Sequence, residues 1–82
     1  MMFQQLTPRA RREYNNAPVE IQRVFNRHLV FLLENLRHPS LRAKKYDETR
    51  GIWQGRITQD WRFYFQIKAD TYVILSLMRH PK

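Results

Sequence analysis

The chain has 82 residues, and its 15 Lys and Arg against 7 Asp and Glu give a formal net charge of +8. This length predicts a single domain over residues 1–82, with a modest core and a functional site on the surface. The absence of cysteine excludes disulfides, thiolate metal sites and cysteine nucleophiles, and no apolar run or secretory signal is apparent, so a cytoplasmic protein without a membrane partner is expected.

The amino-terminal half predicts a short strand over residues 2–6 and then two helices. Thr7-Pro8 is typical of a helix start, with Thr7 as the N-cap, and the first helix is expected to end near Tyr14. A second helix opens at Pro18 and is expected to end at His38-Pro39. Its apolar stripe, at three- and four-residue steps, consists of Ile21, Val24, Phe25, His28, Leu29, Leu32, Leu33 and Leu36.

The carboxyl-terminal half predicts strands over residues 41–46, 52–58, 61–68 and 72–79, joined by short turns. The third of these alternates apolar and polar side chains most clearly, and the last is apolar at nearly every position. The fold class is therefore α+β. Two helices are expected to pack on one face of a small, mostly antiparallel sheet of three or four strands, which leaves the other face open.

Several basic side chains are predicted to meet on that open face. Arg62 and Tyr64 share the polar side of the third strand, and Arg56 has the parity to lie beside them across the turn. Arginine binds phosphate bidentately, and an imidazole near its ordinary pKa moves protons. The same groove is expected to include Lys44, Lys45, Arg79 and His80.

A solvated surface is the competing interpretation for most of these residues. Lysines such as Lys44 and Lys45 commonly guard an exposed strand. Arg62 is the exception, because it interrupts an aromatic and apolar run. Histidines 28, 38 and 80 share no metal-ligand spacing, and Asp47-Glu48 is the one adjacent pair of carboxylates, so neither a metal nor a cofactor is expected.

The order of several short motifs resembles the RelE/ParE superfamily of toxins from type II toxin–antitoxin modules, over nearly the whole chain. The motifs are Arg37-His38-Pro39-Ser40-Leu41-Arg42, Gly51-Ile52-Trp53-Gln54-Gly55-Arg56-Ile57, Asp60-Trp61-Arg62-Phe63-Tyr64-Phe65 and Arg79-His80. The resemblance implies a RelE/ParE-like fold and a cognate antitoxin as partner.

Ribosome-dependent members of this superfamily cut messenger RNA without a metal, by attack of a ribose 2′-OH on the adjacent phosphate. The resemblance implies that Arg62 stabilises the transition state with Arg56 beside it, and that His80 is the acid for the leaving 5′ oxygen. The RNA-binding residues would be Arg42, Lys44, Lys45, Tyr64 and Arg79. The general base stays open between Lys44, Lys45 and groups of the ribosome.

Two other functions are compatible with the same resemblance. A ParE-like branch inhibits DNA gyrase and needs no catalytic residues of its own, and a non-catalytic nucleic-acid-binding homologue needs only the positive charge. The pairing of Arg62 with His80 favours the metal-independent endoribonuclease, whose partners are the ribosome, its messenger and the antitoxin.

Overall fold

The chain forms one five-stranded sheet with two helices, described for residues 1–80 in a computed structural model. Pro81 and Lys82, which end the predicted domain, lie outside the described residues. Within residues 1–80 no helix is long and apolar enough to cross a bilayer. The elements are β1 (Phe3–Leu6), α1 (Pro8–Asn16), α2 (Val19–Glu34), a 3-10 turn (Pro39–Leu41), β2 (Lys44–Asp47), β3 (Ile52–Arg56), β4 (Trp61–Lys68) and β5 (Thr71–Arg79).

The sheet has the strand order β1-β5-β4-β3-β2, and it is antiparallel except at one edge. There β1 pairs in parallel with β5, from Phe3 opposite Thr71 to Leu6 opposite Ile74. The amino-terminal strand is therefore confirmed, and it adds a fifth strand to the three or four that were predicted. Its parallel pairing depends on a contact across nearly the whole chain, which local sequence patterns do not show.

Helix α1 covers the edge of β5 after Ile74, the last β5 residue that pairs with β1. Thr7 is its N-cap, as predicted: the Thr7 hydroxyl accepts a bond from the Ala10 amide at 3.1 Å and donates one to the Leu75 carbonyl at 3.0 Å. Farther along the helix, the Glu13 carboxylate accepts a bond from the Leu77 amide at 3.2 Å. These side chains satisfy β5 groups that have no neighbouring strand.

Helix α2 covers one face of the sheet, and the core lies between them. Phe25 and Leu32 are fully buried, and the Phe25 ring meets Phe63 of β4 edge to face at 5.5 Å between centroids. Leu33, at 40% exposed, lies outside the core, so the predicted apolar stripe is too wide. The expected helix end at His38-Pro39 is wrong, because the backbone of Asn35 is already extended.

The segment after α2 is a turn instead of the strand predicted from residue 41. Leu41 is fully buried in the 3-10 turn, and Arg42 has left-handed backbone angles of φ 44° and ψ 44°. The His38 ring stacks on Phe31 at 4.0 Å, and its Nδ1 accepts a bond from the Ser40 amide at 3.2 Å. The turn is thereby fixed to α2, and it sets the position of Arg42 just before β2.

A bulge interrupts the pairing of β4 with β5. Tyr64 lies opposite Ser76 and Phe65 opposite Ile74, so Leu75 is an extra residue. A bulge of this kind turns two neighbouring side chains toward the same face. This geometry explains why β5 does not show a clean alternation in the sequence.

Candidate functional site

The face of the sheet opposite α2 is uncovered, and strand pairing identifies the side chains that share it. Directly paired residues of antiparallel strands project to the same side. Arg62 lies opposite Arg56 on β3 and opposite Met78 on β5. Gln54 lies opposite both Tyr64 and Lys44, so the open face runs continuously from β2 to β5.

A cleft of about 400 Å³ lies on this open face, where the chain enters β2 and β5 ends. We call it the basic cleft. Four of its side chains are guanidinium or ammonium groups, one is an imidazole, and no carboxylate occurs among the described residues that line it. Its lining residues are Arg42, Lys44, Tyr46, Gln54, Arg56, Arg62 and His80.

Arg62 is anchored to the β3–β4 turn by one of its nitrogens. Its Nη1 donates to the carbonyls of Thr58 at 2.6 Å, Trp61 at 3.0 Å and Gln59 at 3.1 Å. Since carbonyls carry no formal charge, the positive charge of Arg62 is left without a carboxylate partner in the part of the chain described. The guanidinium is thus held in place while it keeps its attraction for an anion.

The same turn positions His80. The His80 amide donates to the Asp60 carbonyl at 2.5 Å, which brings the exposed imidazole into the lining of the basic cleft. The β3–β4 turn therefore holds both Arg62 and His80 through its backbone. An arginine and an imidazole in one cleft can bind a phosphodiester and transfer a proton to one of its oxygens.

Arg56 is tied to the helix layer by a buried histidine. His28 of α2 is 7% exposed, and its Nδ1 lies 2.6 Å from the Arg56 carbonyl oxygen. A carbonyl only accepts, so the ring donates from Nδ1. Burial lowers the pKa of His28, and the positive charges of Arg27 and Arg56 act in the same direction against the opposing hydrogen bond.

This lowered pKa predicts a loss of stability in mild acid. The unfolded chain takes up a proton on His28 near pH 6.5, whereas the folded protein does so only at lower pH, so the free energy of unfolding falls as the pH drops through about 6.5. Urea unfolding between pH 7.5 and 5 measures this slope. His28→Gln removes the titration, so the variant should lose less stability over this range, and equal slopes would contradict the prediction.

Two residues of the basic cleft were not predicted from the sequence. Gln54 is 7% exposed, and its Nε2 donates to the Tyr64 hydroxyl at 3.1 Å. Tyr46 packs edge to face on Tyr64 at 4.9 Å between centroids. Gln54 has the same parity as Arg56, a signal that was available in the sequence. Tyr46 has the same parity as Lys44, and it is the extra residue where the register shifts between Lys45 and Asp47.

The structure separates two predicted site residues from the basic cleft. Lys45 follows Lys44 directly, so it projects to the opposite face, where its Nζ lies 5.9 Å from the centroid of the Trp53 ring. Arg79 is exposed at the end of β5 opposite Trp61 and does not line the cleft. Tyr64 lies beside the cleft and contacts two of its lining residues.

The chain is similar in structure to several solved toxins. The YoeB dimer from Staphylococcus aureus matches with a TM-score of 0.81 and 16% identity over 98% of both chains. The isolated RelE toxin of E. coli matches with a TM-score of 0.76 and 14% identity over 100% of this chain and 87% of that chain. A chain of the RelB–RelE antitoxin–toxin complex from Methanococcus jannaschii matches with a TM-score of 0.74 and 12% identity, over 92% of this chain and 88% of that one. No family profile and no curated protein sequence matches.

Proposed function

We propose that this chain, which has the fold of the RelE and YoeB toxins, is the toxin of a type II toxin–antitoxin system and cleaves messenger RNA on the ribosome. The observation that carries the proposal is the basic cleft. It gathers four cationic side chains and one imidazole on an uncovered sheet face, with no carboxylate among its lining residues in the described chain. Such a cleft suits a single-stranded polyanion.

The proposed reaction is an internal transfer of a phosphodiester. The ribose 2′-OH attacks the adjacent phosphorus, the bond from phosphorus to the 5′ oxygen breaks, and the products are a 2′,3′-cyclic phosphate and a 5′-OH end. Arg62, assisted by Arg56 directly opposite it, binds the oxygens on which negative charge accumulates. Protonated His80 gives its proton to the departing 5′ oxygen.

The proton of the 2′-OH must go to a base. Of the two lysines proposed from the sequence, Lys44 lines the basic cleft and Lys45 faces the other side of the sheet. Lys44 is therefore our candidate for this base, and a group of the ribosome is the alternative. Arg42, exposed just before β2, is placed to contact a neighbouring phosphate.

A cognate antitoxin is the expected partner in the cell. One structural neighbour was solved as an antitoxin–toxin complex. Because the basic cleft is uncovered and cationic, we propose that an antitoxin segment with acidic side chains occupies it and blocks RNA.

Cleavage of a 5′-labelled messenger on programmed ribosomes tests the proposed function. We expect the wild-type protein to cut the messenger in the decoding site and to leave a 2′,3′-cyclic phosphate, with naked messenger cut far more slowly. Folded wild-type protein that leaves the messenger intact on ribosomes would contradict the proposal. Gyrase inhibition or a non-catalytic role would then be the better explanation of the cationic face.

A further inference from the structure

A second pocket, of about 310 Å³, adjoins the basic cleft on the same open face. Tyr46 lines both, and its edge-to-face contact with Tyr64 forms the wall between them. The second pocket is lined by Arg9, Tyr46, Arg50, Ile52, Tyr64, Leu75, Ser76 and Met78.

The interior of the second pocket suits a flat ring. Ile52, Leu75 and Met78 give it an apolar floor, and the β5 bulge is what turns Leu75 toward this face beside Ser76. The two tyrosines supply aromatic surface at one side. Nucleobases splayed from a single strand bind in this way, by stacking on aromatic and apolar side chains.

The rim of the second pocket carries two arginines from different elements. Arg9 comes from α1 and Arg50 from the β2–β3 turn, and both are exposed. A carboxylate pairs with each of them at Nε: Asp47 lies 2.7 Å from Arg50, and Glu13 lies 3.5 Å from Arg9. In this arrangement the terminal nitrogens can still bind a phosphate.

We propose that the second pocket is a nucleobase subsite. It takes the base of a nucleotide next to the phosphate held in the basic cleft, and Arg9 and Arg50 bind the phosphates that flank this base. The inference rests on the proposed function for the position of the scissile phosphate. It goes beyond that function because it assigns a ligand class to residues that the cleavage reaction does not use.

Methyl NMR with an RNA that cannot be cleaved tests this subsite. A tetranucleotide methylated at every 2′ oxygen lacks the attacking hydroxyl, so it binds without reacting. Ring currents of a bound base should shift the methyl signals of Ile52, Leu75 and Met78, whereas those of buried Leu32 should stay in place. The same backbone without bases should leave all of these methyl signals unshifted.

A matched pair of variants on α1 tests whether Arg9, at the rim of the second pocket, contributes to RNA binding. Arg9→Gln should weaken binding of the tetranucleotide by about two- to fivefold, as expected for one exposed ionic contact. Arg11→Gln, an exposed position on the same helix that does not line the pocket, should leave the affinity unchanged. Equal effects of the two substitutions would overturn the assignment of Arg9.

The methyl shifts and the cleavage assay together show whether the nucleobase subsite, the proposed endoribonuclease function, or both are wrong. Methyl shifts without any cleavage on ribosomes would support the subsite and reject the endoribonuclease. Cleavage without methyl shifts, or equal shifts with the backbone that lacks bases, would overturn the subsite alone. Failure to bind the tetranucleotide would also overturn it.

Discussion

Replacing Arg62 with alanine is expected to slow messenger cleavage on ribosomes by about 100-fold or more. The guanidinium is fixed by Nη1 on three carbonyls, so it is already oriented before the transition state forms. Its charge has no carboxylate partner among the described residues, and alanine removes both the charge and the donors. Single-turnover cleavage with excess toxin measures the chemical step directly.

Two further variants test whether the loss of rate is due to the guanidinium of Arg62 and not to the loss of any positive charge. Arg79→Ala removes an exposed arginine of β5 that does not line the basic cleft, and we expect its rate to stay close to that of the wild type. Arg62→Lys keeps the charge but loses the planar fork, so it should recover only part of the rate. Full activity in a folded Arg62→Ala protein, checked by circular dichroism, would remove Arg62 from the mechanism.

Gly55→Ala is expected to destabilise the fold by about 1–3 kcal/mol, a large part of the stability of so small a domain. Gly55 is buried on β3 directly opposite Phe63, and a Cβ at this position would lie 2.5 Å from Phe63 Cε1. The Phe63 ring cannot move away easily, because it is fully buried against Phe25 and Phe65. Urea unfolding measures the loss.

Substitutions at Gly51 and Phe63 identify the cause of that loss. Gly51 has φ +66° and no other atom within 4 Å of an added Cβ, so Gly51→Ala reports backbone strain alone, about 1 kcal/mol. Phe63→Leu should offset part of the Gly55→Ala effect, because a smaller side chain frees the space. A Gly55→Ala protein as stable as the wild type would contradict this account of the packing.

Sequence patterns predicted β4 well because its signal is local. Aromatic and polar residues alternate over the whole of Trp61–Lys68, and the strand has the predicted bounds. The alternation also places Arg62 on the open face with Arg56, as expected. Strand periodicity and a short turn were therefore sufficient to predict that Arg56 and Arg62 share this face.

Sequence patterns were less informative for the other parts of the site. Arg42 reaches the basic cleft because buried Leu41 and the stack of His38 on Phe31 fix a turn where a strand was expected. Tyr46 is held at the cleft by its edge-to-face contact with Tyr64, on a different strand. The prediction of Lys45 in the same groove as Lys44 overlooked the alternation of neighbouring strand residues.

The pairing of β1 with β5 has a consequence for how the chain folds. The meander of β3, β4 and β5 joins residues that are close in sequence, so it can assemble early. By contrast, β1 must find β5 from the far end of the chain, and α1 then closes over the remaining edge. Docking of β1 and α1 onto β5 is therefore expected to limit the folding rate. The face of β3 and β4 that carries Arg56 and Arg62 would then form before the amino-terminal elements that stabilise the sheet.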